Sequence, residues 1–316
     1  MKKLYSIGVD IGGTNTDIGL VDSEGLCLEM LRIKTALFTD VNLYVDALIN
    51  NIRLLITKND IPEITGIGIG VPNGNYYTGC VENAVNLNFK GKIDLRKLIQ
   101  KSIPVEVIVT NDANAAAYGE MIYGGAKKMK NFIMFTIGTG VGSGIVVDGK
   151  LVYGHDGNAG EIGHTIIFPE GRPCNCGRKG CLEQYTSARG IRKTCIEMMK
   201  NIDDHTGLED VISHDYGFKA ITKAAMNGNQ LANQVLAKTG EILGLALANS
   251  VAYTSPEAIF LMGGPLKAGN ILLDPIRKSF DENLLSIYKG KTQILVSKLK
   301  ENEAAILGAA ALTNKV

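Results

Sequence analysis

The sequence contains no tryptophan and no surplus of either charge, since 33 basic residues are balanced by 32 acidic ones. A nucleic-acid-binding surface requires a concentrated positive patch, and no basic run here exceeds a few residues, so we expect no nucleic-acid partner. Long apolar runs are also missing, because the longest, Ile242 to Ala252, is too short to span a membrane. Asp10 interrupts the first apolar run too early for a signal peptide. We therefore expect no association with a membrane.

The chain is also poor in evenly spaced cysteines, which a disulfide framework would require. Of its six cysteines, three cluster within eight residues and three are scattered. This distribution favours metal binding in a reducing compartment, and we expect a cytoplasmic protein. The 316 residues, 45% of them hydrophobic, suffice for two domains with full cores.

Periodicity along the chain predicts a β-β-β-α-β-α order that occurs twice. Two similar α/β halves typically enclose a ligand-binding cleft, so we expect an α/β fold of two halves with a cleft between them. The predicted helices cover 40–57 with Asp40 as a cap, 94–101, 111–120, 187–200, 208–213, 218–226, 230–252 and 304–313.

Each half contains a glycine turn between its first two strands. The first reads Asp10-Ile-Gly-Gly-Thr14 and the second Thr136-Ile-Gly-Thr139-Gly. Neither has the spacing of a Walker A loop or of a dinucleotide-binding turn. Either turn alone is explained as a tight hairpin, but two turns with a threonine in each favour phosphate binding by backbone N–H groups. Asp10 could then hold Mg²⁺, directly or through water.

Asp112 follows a predicted strand and begins a predicted helix. Its position alone favours a helix cap, for which aspartate is a preferred residue. The alternative is a general base at the carboxyl end of a strand, as phosphoryl transfer requires. Asn111 beside it can donate and accept hydrogen bonds with hydroxyl groups.

The strongest signal lies between Gly160 and Glu183, where one histidine precedes three closely spaced cysteines. Four soft ligands complete a tetrahedral structural zinc site, so we predict zinc bound by His164, Cys174, Cys176 and Cys181. The second ring nitrogen of a zinc-bound His164 would need a hydrogen-bond acceptor, which a substrate hydroxyl can supply.

Carboxylates near this cluster indicate what the site would bind. Glu161 and Glu183, with His164, describe a site for a neutral polyol such as a sugar, although each glutamate alone is explained as a solvated charge. Arg172, Arg178 and Lys179 are equally compatible with phosphate contacts and with a solvated rim.

Taken together, these segments resemble the ROK family, which groups sugar kinases with sugar-responsive repressors. The resemblance extends over nearly the whole chain and is most specific in its zinc signature. It rests on DIGGTNTDIG at Asp10–Gly19, NDANAAAYGE at Asn111–Glu120, TIGTGVGSGIVVDG at Thr136–Gly149, GEIGH at Gly160–His164, CNCGRKGCLE at Cys174–Glu183 and MGG at Met262–Gly264.

The resemblance implies an actin-like, RNase H-like ATPase fold of two lobes, and family members are commonly dimers. We expect a small lobe over residues 1–115, completed by a C-terminal helix at 304–316. A large lobe would cover 116–303 and carry the zinc-binding insertion at 160–183.

The resemblance also implies a role for each residue of the site. Asp112 would be the general base that acts on a hexose hydroxyl, usually O6. The hexose would be bound by Asn86, Asn111, Asp112, Glu161, His164 and Glu183. ATP and Mg²⁺ would be bound by Asp10, Gly12, Gly13, Thr14, Asn15, Gly138, Thr139, Gly140, Gly142, Gly263 and Gly264.

Two segments depart from the family pattern where the sugar would be recognised. They are Asn73-Gly74-Asn75 and Val85-Asn-Leu-Asn-Phe-Lys90. We expect an ATP-dependent hexose kinase that converts glucose to glucose 6-phosphate. The alternatives are another hexose (fructose, allose, N-acetylmannosamine or N-acetylglucosamine), polyphosphate as donor, or a sugar-binding regulator without catalysis. The first phosphate motif begins at Asp10, which leaves no preceding helix-turn-helix domain and favours the kinase over the repressor.

Overall fold

The structure, a computed structural model, describes residues 4–84, 87–200, 208 and 217–314. The chain divides into two compact units. The first unit contains Met1–Lys130, Gly144–Gly160 and Ser297–Val316, and the second contains Asn131–Ser143 and Glu161–Val296. The lobe boundaries implied by the family resemblance stay a prediction.

The first sheet lies in the first unit and has five strands. The strands of this part of the chain are β1 (Tyr5–Ile11), β2 (Thr16–Asp22), β3 (Cys27–Ile33), β4 (Gly66–Gly70), β5 (Cys80–Glu82), β6 (Lys92–Asp94) and β7 (Glu106–Thr110). The sheet order is β3-β2-β1-β4-β7, and β5 pairs with β6 in a separate ribbon. β1, β4 and β7 run parallel, so their carboxyl ends share one edge of the sheet.

The second sheet repeats this topology. Its strands are β8 (Phe132–Ile137), β9 (Val141–Val147), β10 (Lys150–Leu151), β11 (Ala258–Met262) and β12 (Gln293–Val296). The order is β10-β9-β8-β11-β12, with β8, β11 and β12 parallel. Numbered along the chain, both sheets follow the order 3-2-1-4-5, which confirms the predicted duplication.

The helices connect and cover the strands. They are α1 (Val41–Lys58), α2 (Leu95–Gln100), α3 (Asp112–Ile122), α4 (Glu183–Thr186), α5 (Ala188–Met199), α6 (Gly217–Met226), α7 (Gln230–Thr254), α8 (Asn270–Asn283) and α9 (Glu301–Ala311). In α1, the Asp40 carboxylate accepts the Asn42 N–H at 2.7 Å, which confirms the predicted cap. Its buried stripe includes Tyr44, Leu48 and Leu55, and such side chains contribute roughly 1.5–3 kcal/mol each when buried.

Glycines on the first sheet allow α9 to approach it at backbone distance. A Cβ atom on Gly8 of β1 would lie 2.0 Å from the Ile306 carbonyl oxygen. One on Gly68 of β4 would lie 1.7 Å from the Ala309 carbonyl oxygen. These glycines therefore serve helix packing and not turn formation.

Helix α8 was not predicted, because Pro275 lies in its second turn and lacks the N–H group that a helix interior requires. Its buried stripe, Leu272, Ile276 and Phe280, packs against α7 and offsets this loss. Gly240 of α7 leaves room for the ring, since a Cβ there would lie 2.6 Å from the Pro275 Cβ. The helix predicted at 208–213 lies outside the described residues.

Helix α7 is long and apolar enough, by length and composition, to cross a membrane. However, 67% of its most apolar window is buried inside the protein. Its apolar residues are therefore explained by packing, as in the core helix of a globular domain.

Candidate functional site

The carboxyl edge of the first sheet brings two of the predicted residues together. Asp10 on β1 pairs with Gly70 on β4, and Gly70 pairs with Thr110 on β7. Asp112 follows Thr110 by two residues, as the first residue of α3. The charge of Asp112 acts on Asp10, so this edge concentrates acidic groups.

The helix cap at this edge is Asn111 and not Asp112, which corrects the assignment that position alone favoured. The Asn111 Oδ1 accepts the Ala113 N–H at 2.8 Å, and its backbone is extended, as an N-cap requires. The Asp112 Oδ1 also lies 2.9 Å from the Ala113 nitrogen. Its Oδ2 is therefore the oxygen that the carboxylate can offer to a ligand.

Both carboxylates have perturbed acidity. Burial, followed by the charges of Asp112 and Asp17, raises the pKa of Asp10 to about 7. Burial also raises the pKa of Asp112, while backbone N–H groups of Ala113 and Asp112 oppose the shift. Asp17 forms a two-point ion pair with Arg32. Such a group of carboxylates in one place is suited to a cation or to a hydroxyl proton.

The first glycine turn connects β1 and β2 and is closed by a hydrogen bond from the Gly12 N–H to the Asn15 carbonyl at 2.9 Å. Thr14, at its tip, is exposed. Thr16, two residues further on, is buried, and its hydroxyl is hydrogen-bonded to the hydroxyls of Thr35 and Tyr44 at 2.8 and 2.9 Å. The hydrogen bonds of Thr16 thus fix the turn, while Thr14 at its tip stays accessible.

The second glycine turn connects β8 and β9 and is closed from the Gly138 N–H to the Gly140 carbonyl at 2.9 Å. Thr139 is exposed at its tip, and Gly142 lies within β9. Gly263, just after β11, adopts φ 132°, and a Cβ there would lie 2.0 Å from the Ile137 carbonyl oxygen. Two predicted nucleotide-binding segments therefore meet at this edge of the second sheet.

Val141 joins the second glycine turn to two predicted sugar-binding segments. Its N–H donates to the Glu183 Oε2 at 3.1 Å. A Cβ on Gly163 would lie 2.0 Å from the Val141 carbonyl oxygen. The turn that ends in His164 therefore packs directly against the backbone of Val141. A Cβ on Gly140 would lie 2.4 Å from the Glu183 Oε2. The positions of Glu183 and His164 thus both depend on Val141, the first residue of β9.

The four predicted metal ligands converge. The ligand atoms of His164, Cys174, Cys176 and Cys181 all lie within 4.8 Å of one another. The His164 Nδ1 faces the Cys174 Sγ at 3.6 Å, which leaves Nε2 on the other side of the ring. Three thiolates and one imidazole are a ligand set that suits zinc, so the side chains fit the ion.

The cysteines of this cluster differ in acidity. Burial raises the pKa of Cys176, but hydrogen bonds from Arg178 and the other two thiols outweigh it and lower the pKa to about 6. Burial and the shared hydrogen bonds raise the pKa of Cys181 to about 12. A thiolate is therefore present at neutral pH, as metal capture requires.

A hairpin carries this cluster, and its arms are paired near both ends. Residues 165–168 pair with 180–182 through three hydrogen bonds of 2.8–3.3 Å, and Cys174 N–H donates to the Arg178 carbonyl at 2.8 Å. We call residues 164–183 the zinc hairpin. Glu161 is the residue before the 3-10 turn Ile162–His164, and it is exposed.

The basic residues of the zinc hairpin do not behave alike. Lys179 is exposed and lies 3.8 Å from Glu170, as a solvated rim would. The Arg178 guanidinium donates to the His164 carbonyl at 2.8 Å. Only 13% of the Arg172 side chain is exposed, and it is fully hydrogen-bonded within the protein. Arg172 is thus neither the phosphate contact nor the solvated rim residue that its sequence context allowed.

Sequence patterns provided no indication of an aromatic cluster beside β7. The Tyr76 and Tyr153 rings stack at 4.1 Å, and Tyr77 packs edge-on against Tyr153. Asn75 fixes the segment by accepting the Tyr77 N–H and donating to the Asp156 carbonyl. This segment is one of the two that depart from the family pattern. The predicted ligand Asn86, in the other, lies outside the described residues.

A groove of about 980 Å³ lies behind the zinc hairpin, in the second unit. Within the described part of the chain, none of the predicted sugar, nucleotide or metal ligands lines it. Its wall includes Phe168, Arg172, Tyr185, Glu197, Lys238 and Ile242. The chemistry predicted from the sequence therefore lies elsewhere, at the two sheet edges and the metal cluster.

Comparison with known proteins identifies relatives along the whole chain. A glucokinase of Halalkalibacterium halodurans is 35% identical over 320 residues, covering 98% of this chain and 94% of its own length. A xylose repressor of Bacillus subtilis is 30% identical over 310 residues, covering 96% of this chain and 76% of its own length. The relatives therefore include both enzymes and regulators.

Solved structures give the same result for the fold. A ROK family glucokinase from Streptomyces griseus, in complex with glucose and AMPPNP, superposes with a TM-score of 0.81 at 30% identity over 98% of each chain. This likeness confirms the predicted actin-like α/β fold. The sequence model of the ROK family matches residues 6–316. The chain therefore belongs to the ROK family.

Proposed function

We propose that the protein is a sugar kinase that transfers the γ-phosphoryl group of ATP to O6 of glucose, with Asp112 as general base. The observation that carries this proposal is the arrangement at the end of β7, where Asn111 takes over the helix cap and leaves a carboxylate oxygen of Asp112 for the substrate. Family membership supports the phosphoryl transfer. The complex of the Streptomyces griseus relative with glucose and AMPPNP supports the pair of substrates.

In this proposal, Asp112 accepts the proton of the hexose hydroxyl as the hydroxyl oxygen attacks the γ-phosphorus. The bond from the γ-phosphorus to the bridging oxygen breaks, and ADP leaves. A base must be ionised before it can act, and burial makes Asp112 a stronger base than an exposed aspartate. The backbone N–H that Oδ1 accepts keeps the carboxylate oriented.

The hexose is held by Asn86, Asn111, Glu161, His164 and Glu183. The Val141 N–H fixes one oxygen of Glu183 and leaves the other for a sugar hydroxyl. With Nδ1 of His164 toward the metal cluster, Nε2–H donates to another hydroxyl. Zinc bound to His164 and the three cysteines would serve to fix the hairpin and the ring tautomer.

The nucleotide is bound by backbone groups of the two glycine turns and by the Gly263-Gly264 segment. Thr14 and Thr139, exposed at the turn tips, offer hydroxyls to phosphate oxygens. Asp10 would hold Mg²⁺, which balances the charge of the phosphates when bound. Asp10 itself stays ionised more readily once a cation is near it. We further propose a homodimer in the cytoplasm, where its six free cysteines would stay reduced.

A second candidate, a sugar-binding regulator, is favoured by the xylose repressor relative. An assay that couples ADP release to a panel of hexoses separates the two functions. The panel includes glucose, fructose, allose, N-acetylmannosamine and N-acetylglucosamine, with polyphosphate as a second donor. We expect the highest kcat/KM with glucose and ATP. Tight hexose binding without any turnover would instead establish the regulator.

The metal is tested separately from the reaction. Elemental analysis should find about one zinc per chain. Removal of zinc with a chelator should weaken hexose binding, because His164 loses its fixed orientation. Metal-free protein with an unchanged hexose KM would contradict the proposed coupling between the cluster and the sugar.

A further inference from the structure

Arg172 attaches the zinc hairpin to the helices that follow it. It lies two residues before Cys174, and 13% of its side chain is exposed. An arginine side chain carries five N–H donors in a rigid plane. Here each of the five has its own acceptor. They are the Glu197 Oε1 and Oε2, the Gln184 and Gly190 carbonyl oxygens at 2.7 and 3.2 Å, and the Thr194 Oγ1 at 2.9 Å.

Tyr185 completes the environment of this side chain. The Arg172 Cζ lies 4.5 Å from the centroid of the Tyr185 ring, within the range of a cation–π contact. The Tyr185 hydroxyl accepts the backbone N–H of Arg172 at 2.8 Å. The main chain and the side chain of Arg172 are therefore both held by the segment immediately after Glu183.

The positions of the five acceptors show which segments Arg172 holds together. Gln184 directly follows Glu183, so its carbonyl oxygen is the nearest acceptor to the predicted sugar ligand along the chain. Gly190, Thr194 and Glu197 belong to α5. Within the hairpin, the Arg172 carbonyl accepts the Gly180 N–H at 2.8 Å. One residue thus connects both arms of the hairpin, α5 and the start of α4, where Glu183 lies.

The attachment is separate from the metal cluster. His164 and the cysteines fix the hairpin with respect to itself, because all four belong to residues 164–181. The Gln184 Nε2 donates to the Cys174 Sγ at 3.5 Å, and sulfur is a weak hydrogen-bond acceptor. The cluster reaches α4 through this bond and through the Cys181 carbonyl, which accepts the Gln184 N–H at 3.0 Å, whereas Arg172 adds hydrogen bonds to both α4 and α5.

We propose that Arg172 is the positioning residue for Glu183, setting the affinity for the hexose without touching it. This inference rests on the proposed sugar kinase function and adds a determinant of its substrate binding. Lysine can replace arginine here only in part, because an ammonium group offers three donors around one point and cannot serve all five acceptors. The effect should appear in the KM for the sugar.

The test compares Arg172→Met and Arg172→Lys with the wild type. With Arg172→Met, the hexose KM should rise about ten- to hundredfold, the scale expected when a binding group is misplaced by about 1 Å. The ATP KM and the kcat at saturating hexose should stay within about threefold, and the zinc content should not change. Arg172→Lys should give an intermediate hexose KM, which would be partial rescue by the conservative variant.

Arg277→Met on α8 is the matched control. Arg277 is an exposed arginine whose nearest acid is Asp274 at 3.6 Å. Its replacement should leave all kinetic constants unchanged. A merely structural role for Arg172 would lower the melting temperature and the active fraction, but would leave the hexose KM of the folded protein at its wild-type value. That result would overturn the proposal, as would an equal rise of the hexose and ATP KM values.

The wild-type measurements separate this inference from the proposed function. If the wild type binds a hexose without turnover, the kinase proposal fails, and the hexose Kd replaces the KM in the same comparison. If it phosphorylates a hexose and Arg172→Met has the same hexose KM, only the role of Arg172 fails. If Arg172→Met does not fold, Arg172→Lys decides, since an unchanged hexose KM in that variant also rejects the role.

Discussion

The two glycine turns occupy equivalent places in sheets of identical order, yet their surroundings differ. On the strand that enters the turn, Asp10 in the first sheet corresponds to Thr136 in the second. On the adjacent parallel strand, Asp10 pairs with Gly70 and Thr136 pairs with Met262. The first turn thus lies among the carboxylates Asp10, Asp17 and Asp112. Near the second, the carboxylate of Glu183 is bound by a backbone N–H at the turn.

This difference indicates that one topology supports two kinds of chemistry. Backbone N–H groups of the second turn can receive an anion directly. The first turn has the same kind of groups, but neighbouring carboxylates would repel phosphate unless a cation lies between them. We therefore expect phosphate binding at the first turn to depend on Mg²⁺, and phosphate binding at the second turn to depend on its backbone N–H groups and the Thr139 hydroxyl.

The largest effect should come from Asp112→Asn, which removes the base and keeps the size of the side chain. General-base catalysis typically contributes 10²–10⁴-fold, so kcat should fall by about a thousandfold while hexose binding persists. Asp46→Asn, an exposed substitution of the same type on α1, is the control. A variant at Asp112 with near-normal kcat would remove this residue from the role of base.

A smaller loss should follow Asp10→Thr, which gives the first turn the residue found at the equivalent place in the second. Loss of a residue that supports a metal from beyond its direct ligands typically costs about ten- to a hundredfold in affinity or activity, and we expect at least this loss here. We expect activity to require a higher Mg²⁺ concentration, measured by titration with the metal at fixed ATP. An unchanged Mg²⁺ requirement would show that the carboxylate at this place is dispensable.

A pair of substitutions within the second turn should separate sugar from nucleotide. Gly140→Ala places a Cβ 2.4 Å from the Glu183 Oε2, whereas a Cβ on Gly138 would meet no atom of the described residues within 4 Å. Gly140→Ala should raise the hexose KM at least about tenfold, or ~1.4 kcal/mol. Gly138→Ala should affect only the KM for ATP. Equal effects of the two alanines on the hexose KM would contradict the assigned role of Glu183.

The smallest expected effect is a dependence of stability on pH in protein stripped of metal with EDTA. The pKa of Asp10 is raised in the folded state to about 7, so the folded protein binds this proton more tightly than the unfolded chain. The resulting stability is complete below the pKa of the unfolded chain and is lost as the pH rises through about 7.

Melting temperatures at pH 5 and pH 8 test this expectation. Between pH 5 and pH 8, the melting temperature of the wild type should fall by about 2–4 °C more than that of Asp10→Asn, because the asparagine does not titrate. Added Mg²⁺ should restore part of the difference at pH 8. Parallel curves for the two proteins would indicate that Asp10 is ionised throughout.

Much of the fold could be predicted from the sequence because its signals are local. Period-two strands, the α1 stripe behind the Asp40 cap and the two glycine turns each depend on neighbouring residues. Helix α8 could not be predicted, because Pro275 opposes a helix locally and only packing against α7 compensates for it.

The candidate site shows the same division. Composition and spacing predict the four metal ligands, and the structure brings their possible ligand atoms together. The helix cap is Asn111 and not Asp112 because the backbone of Asn111 is extended. The sequence could not distinguish these two adjacent residues, since both are favoured caps. The role of Arg172 depends on acceptors 12 to 25 residues away, which no local pattern reports.

Val141 has a consequence for how substrate preference can change. Its N–H is bonded to Glu183, and its carbonyl group lies against the turn that ends in His164. Its position also fixes the end of the turn assigned to phosphate. Because both contacts belong to this one residue, a substitution that raises hexose affinity by moving Val141 should also change nucleotide affinity. Evolution toward a new sugar would therefore act most freely on side chains that do not contact Val141.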